Sequence, residues 1–297
     1  MDSTPMRSKS RYQARSVSFP SRSYPLVPQF NEHLSRLRAS DCEATSSSLS
    51  SISNRLTGLE DSYHSVNDLL LLPQNQQNLA QECSGKWVDM ALDGYLKLLD
   101  ACAGTKEVFS QTKEDVRELH SVVRRKRDSN NFVGFLTSRH KVKKLISQLL
   151  KDLKSIQNKD MVPDFDKNRE AVSIFSMLKD VEQFTLGVLQ SLLFCAVGTK
   201  VQTRGSGWSL VSKLMHQKSA SCQAKDTVIN EFEKFDAAIH SFIGHKAMES
   251  VDNRKIKTVQ NQLGELELSI QDVEKVLERL LRQLIKTRVS LLNSLNN

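Results

Sequence analysis

Proline nearly vanishes from this sequence after residue 73. Of the six prolines in 297 residues, only Pro163 lies beyond that point. Proline removes a backbone donor and clashes with the preceding helical turn, so long stretches without it suit helix. Glycine is sparse, at 11, and aromatic residues make up only 6%. Leu, Lys, Glu, Gln and Ser dominate, which favours helices over sheets. No alternating strand pattern of useful length and no internal repeat of fixed period is present.

Motifs of chemistry are missing as well. The five cysteines are odd in number and form no C-x-x-C pair. They read as reduced thiols in an intracellular compartment. The closest two of the seven histidines, His240 and His245, are five positions apart. That spacing points them about 140° apart on a helix, where a two-histidine metal site wants a spacing of four. There is no Gly-rich phosphate loop, no G-x-S-x-G and no H-E-x-x-H. "GTKVQTRGSGW" places glycines near a lysine without the phosphate-loop spacing. Glu233, Asp236 and His240 share a helical face and read as a solvated polar edge. The expectation is a protein with no catalytic residues, no cofactor and no metal.

What the sequence does hold is helical periodicity. Leu49, Ile52, Leu56, Leu59, Tyr63, Val66 and Leu70 step by three and four, which draws one apolar stripe. Pro73 ends that helix by turning Leu72 away from the helical region. A second helix runs from about Gly85 to Asp128 through Tyr95, Leu98, Cys102, Phe109, Val116, Leu119 and Val123, with threonines at two stripe positions. A third carries Phe135, Val142, Leu145, Leu149, Leu153 and Ile156. A fourth begins near Asp164, whose carboxylate can cap the next turn. The stretch from Lys225 to Ala247 is helical again, with Phe232, Phe235, Ile239 and Phe242 on one side. The last segment places Ile256, Val259, Leu263, Leu266, Ile270, Val273, Leu277, Leu280 and Leu284 in an unbroken a/d heptad pattern. An elongated, all-α bundle of long antiparallel helices follows. A homodimer would use the same heptad stripe, which the sequence does not separate from a seam within the chain; the other long stripes in the chain favour the intramolecular seam. Residues 1–45 read as a disordered Arg/Ser/Pro-rich tail, in which "FNEHLSRLRAS" docks Leu34 and Leu37 on the body. Residues 46–297 form the helical domain.

The net charge of +8 is local. Between Arg124 and Asp160 there are eleven Lys/Arg against three Asp/Glu, an excess equal to that of the whole chain. "VVRRKR", with Arg124, Arg125, Lys126 and Arg127, and then Lys141, Lys143 and Lys144, can contact an anionic partner. The plain alternative is a solvated helix end, where positive charge is favoured. No aromatics interleave with these cations, which argues against nucleic acid. No residue from Gln183 to Thr199 is charged. That run sits at the lower edge of a membrane span, for which about 20 residues are needed, and its polar members favour a buried core helix.

The tail poses three readings. Residues 1–31 hold five Arg/Lys and one acid among many serines, a composition similar to an organelle transit peptide. "RSVSFP" sets Arg15 three positions before Ser18 and Pro20 two after it. Phosphorylated at Ser18, it resembles the pattern clamped by an Arg-cluster phosphoserine reader of the 14-3-3 type. The third reading is slack chain.

"RSVSFPSRSYP", "HLSRLRAS", "SSLSSISNRLTGLEDSYHSVNDLLLLP", "LDGYLKLLDACAGTKEVFSQTKEDVRELHSVVRRKR" and the closing long helix resemble, in that order, the plant-specific helical family related to the BYPASS proteins. The resemblance spans nearly the whole chain. It implies a protein connected with plant root and shoot development, and implies no catalytic residue or cofactor. It presents the "RSVSFPSRSYP" and "RRKR" runs as family features. The expectation is a non-enzymatic regulatory or scaffold protein with a protein partner, a phosphoserine reader among the candidates. The alternative is a peripheral membrane-associated factor using the basic segment. The expected location is intracellular: the cytoplasm first, with chloroplast and nucleus left open.

Overall fold

The structure, a computed structural model, describes residues 26–43, 48–81, 86–125, 131–157, 169–198, 230–243 and 253–296. Among these residues the elements are eight α-helices and no strand, the all-α class that the sequence predicts. They are α1 (Leu26–Glu43), α2 (Leu49–Leu70), α3 (Pro73–Gln81), α4 (Lys86–Arg124), α5 (Asn131–Gln157), α6 (Arg169–Val197), α7 (Glu231–Ile243) and α8 (Asn253–Asn296).

Four long helices share the central core: α2, α4, α6 and α8. All nine heptad residues of α8, from Ile256 to Leu284, are buried. The stripe continues through Thr287, Leu291 and Ser294, also buried. Its seam lies inside the chain, along α4 and α2. Helix α8 is antiparallel to α4, because Ser110 reaches Glu274 and Arg117 reaches Glu267. It is parallel to α2, because Arg279 pairs with Glu60 and Asn67 with Gln283. Helix α6 runs against α2, with Arg55 near Ser191 and Tyr63 bonded to Thr185 at 2.9 Å. Each fully buried Leu, Ile or Val stabilises the fold by roughly 1.5–3 kcal/mol relative to exposure. The two threonines on the α4 stripe, Thr105 and Thr112, return their hydroxyls to Ala101 and Val108 carbonyls, so no polar group is stranded.

Helix α6 is the one described helix long and apolar enough to cross a membrane. In this fold Leu178, Val181, Leu186, Leu189 and Leu193 are buried in the bundle, which makes it a core helix.

Helix α5 folds back on α4: Ser138 donates to Asp115, and the Leu149 side chain fills the space over Gly104. Its buried stripe runs through Phe135, Val142, Ile146 and Leu153. Leu145, expected in that stripe, is 40% exposed, and Ile146 takes the inward position. Helix α7 locks on through Phe232 against Phe109 and Phe235 against Phe135, both edge-to-face. Glu231, in its first turn, accepts the Leu49 N–H at the start of α2. Ser48 caps the same end. The side chain of Phe242 lies outside the described residues.

Two short elements complete the bundle. Helix α1 contains "FNEHLSRLRAS", whose Leu34 and Leu37 dock on the body as expected, and it extends from Leu26 to Glu43. Phe30, Leu34 and Leu37 bury against α2, and that contact outweighs the polar composition around them. Pro73 ends α2 as expected but also begins α3, where its missing N–H costs nothing. Asn75 Nδ2 then satisfies the Leu69 carbonyl at 2.8 Å. The start expected near Asp164 and most of "GTKVQTRGSGW" lie outside the described residues.

Candidate functional site

The predicted phosphoserine motif, Arg15, Ser18 and Pro20, lies outside the described residues, as do Lys126 and Arg127. The remaining basic residues fall into three settings. Arg124 and Arg125 are exposed at the end of α4. Lys141 and Lys144 are exposed on α5. Lys143 departs from its set: it is turned toward the body and pairs with Asp236 at 3.2 Å. The structure does not gather these groups into one compact site. Lys141 lies about 15 Å along α5 from its first residue, whereas Arg124 closes the preceding helix.

The solvent side of α5 extends the basic character beyond the residues singled out. Lys151 and Lys154 are exposed with Lys141 and Lys144. Lys141 to Lys154 spans about 20 Å at 1.5 Å per residue. Asp152 is the only acid in the helix. Near the start of the helix, Val133 is 61% and Leu136 38% exposed. The exposed side of α5 thus presents a row of cations that ends in two exposed apolar side chains.

Between α5 and α7 sits a group that sequence reasoning missed. Arg139 is only 5% exposed. Its Nη2 meets Asp236 Oδ2 at 3.3 Å, and its guanidinium lies 5.2 Å from the centre of the Phe232 ring. Asp236, read as part of a solvated edge with Glu233 and His240, is instead shared by two cations. A local signal existed: Arg139 falls between Phe135 and Val142 on the apolar stripe of α5, where an arginine needs a buried partner. Gly198, at φ 68°, closes the end of α6 over the same pair. A cavity of about 170 Å³ opens beside it, lined by Arg139, His140, Lys143 and Asp236 and by the apolar Phe135, Leu136 and Ile239.

Reactive groups elsewhere are subdued. Burial pushes the Cys102 thiol up to about 12 and raises that of Cys195 further, the latter aided by Glu231 and Glu233. A thiol held protonated is not a nucleophile. Among the described residues no group of three His, Cys, Asp or Glu could hold a metal ion.

Against known families, the model described as Protein BPS1 matches residues 55–293. That span runs from the first turns of α2 almost to the end of α8 and includes the α5 face and the Arg139 pair. Neither the curated proteins nor the solved structures gave a match.

Proposed function

The chain belongs to the BPS1 family, a family of plant developmental regulators, and on that premise we propose that it regulates root and shoot growth without catalysis, by docking on an anionic membrane surface. The observation that carries this reading is the exposed face of α5. Lys141, Lys144, Lys151 and Lys154 face solvent together, with Val133 and Leu136 beside them. Each lysine near an anionic leaflet is worth about 1 kcal/mol, so four supply about 4 kcal/mol, on the order of a thousandfold in partition. Arg124 and Arg125 add to the same hairpin. Anionic lipid is concentrated on cytoplasmic leaflets, which fits a cytoplasmic location.

Co-sedimentation with vesicles tests this. Binding is expected to phosphatidylserine vesicles, not to neutral phosphatidylcholine vesicles, and to weaken with salt. The variant with all four lysines changed to Ala should lose most of it. Equal binding to neutral vesicles, or no effect of the substitutions, removes the reading.

A second reading rests on the tail motif. We infer that Ser18, with Arg15 three positions before it, is phosphorylated and then clamped by a phosphoserine reader, making the protein a scaffold. The α8 heptads support only the intramolecular part of a helix–helix mechanism, since their seam is filled by α2 and α4. Pull-down with a phospho-Ser18 peptide should capture a partner that the unphosphorylated peptide does not. Identical capture by both peptides sinks this reading.

A further inference from the structure

The guanidinium of Arg139 carries five N–H donors in one plane. One nitrogen, Nη2, serves Asp236. The Phe232 ring lies against the guanidinium at 5.2 Å. Nε and Nη1 have no hydrogen-bond partner. An aromatic ring is at best a weak acceptor and does not replace a hydrogen-bond partner for these donors. Buried charged donors without acceptors carry their full desolvation cost, so an acceptor brought to them stabilises the fold.

Charge leads to the same place. Arg139 and Lys143 share the single oxygen Oδ2 of Asp236, at 3.3 and 3.2 Å. One oxygen between two cations leaves both with donors free for a further acceptor. A single carboxylate can meet both, while Glu231 and Glu233 on the same helix as Asp236 disfavour a more highly charged anion. The cavity beside them holds about 170 Å³, and its remaining lining includes Phe135, Leu136 and Ile239. Apolar walls with a few convergent polar groups are how small-molecule sites are built.

We propose that this cavity between α5 and α7 binds a small organic monocarboxylate. Its carboxylate accepts from Arg139 and Lys143, and its apolar body lies against Phe135, Leu136 and Ile239. The site shares Leu136 with the apolar end of the α5 surface but none of that surface's lysines. Its occupant would tie α5 to α7 at the point where α6 ends, so binding should register as stability of the whole bundle.

The full chain should be titrated with benzoate, with its neutral isostere benzamide, and with inorganic phosphate, following heat of binding and Tm. Benzoate is expected to bind and raise Tm. Benzamide should do neither, and phosphate should bind more weakly than benzoate. Lys143→Met keeps the Arg139–Asp236 pair and should weaken benzoate about tenfold or more, equivalent to about 1.4 kcal/mol. Arg139→Lys keeps the charge but loses the planar fork, and should weaken it likewise. Changing Lys141 and Lys144 to Ala should leave benzoate binding intact while reducing vesicle binding. The proposal is overturned if benzamide matches benzoate, if phosphate shifts Tm and benzoate does not, or if Lys143→Met binds as the parent does.

Discussion

A β-carbon placed on Gly198 would stand 2.8 Å from Oδ2 of Asp236, the oxygen that holds Arg139 and Lys143. Gly198 also sits at φ 68°, where an L side chain costs roughly 1–2 kcal/mol. Gly198→Ala is therefore expected to lower stability by about 2–3 kcal/mol in urea unfolding, strain and a displaced carboxylate together. Gly264, on α8, has open space around its α-carbon. There Ala should raise stability by about 0.5–1 kcal/mol. Equal effects at the two sites would contradict this assignment.

Tyr63 and Tyr95 meet edge-to-face in the core, yet of the two hydroxyls only that of Tyr63 has a hydrogen-bond partner, Thr185. Thr185→Val should cost about 1–3 kcal/mol, because it strands a buried phenol. Tyr95→Phe removes a hydroxyl that lacks a partner and should be neutral or stabilising. Burial raises both phenols above the ordinary 10.0. The folded chain therefore keeps protons that the unfolded chain releases. Stability should be intact below pH 10 and fall above it, by about 1.4 kcal/mol per pH unit for each phenol. Alkaline unfolding of the wild type beside Tyr95→Phe measures this.

Cys102 and Cys195 are buried thiols with raised pKa values. With Cys42, Cys83 and Cys222 changed to Ser, a thiol reagent at pH 8 should label neither residue until denaturant is added. Rapid labelling of the native protein would refute the burial of both.

Leu280 is fully buried on the α8 seam, whereas Leu268 is 64% exposed on the same helix. Leu280→Ala should cost about 2–5 kcal/mol, and Leu268→Ala should stay within about 0.5 kcal/mol. Chemical denaturation of the two variants decides it. A homodimer built on the seam would instead make the Leu280→Ala loss depend on protein concentration.

Periodicity made the long helices legible, because a stripe that must be buried repeats every three or four residues wherever the helix is long. The nine α8 positions are the clearest case. A short element resisted. In α3 the one fully buried side chain among those described is Leu79, so no apolar stripe marks it. On α5, neighbouring Leu145 and Ile146 could each extend the stripe, and only the neighbouring helices choose between them. The Arg139–Asp236 pair joins residues 97 positions apart. No local spacing encodes such a partner, although an arginine on an apolar stripe signals that one is needed. The row on α5 was half visible: Lys141 and Lys144 were named, Lys143 turned inward, and Lys151 and Lys154 completed it.

Chain order gives the α8 seam a cost in time. Glu60 and Arg279 are 219 residues apart. At ribosomal speeds of roughly 5–20 residues per second, Glu60 emerges about 10–45 s before Arg279. Through that interval the stripes of α2 and α4 lack their cover. A nascent chain with those faces open is a natural client for a holdase chaperone, and the bundle closes only when its last long helix arrives.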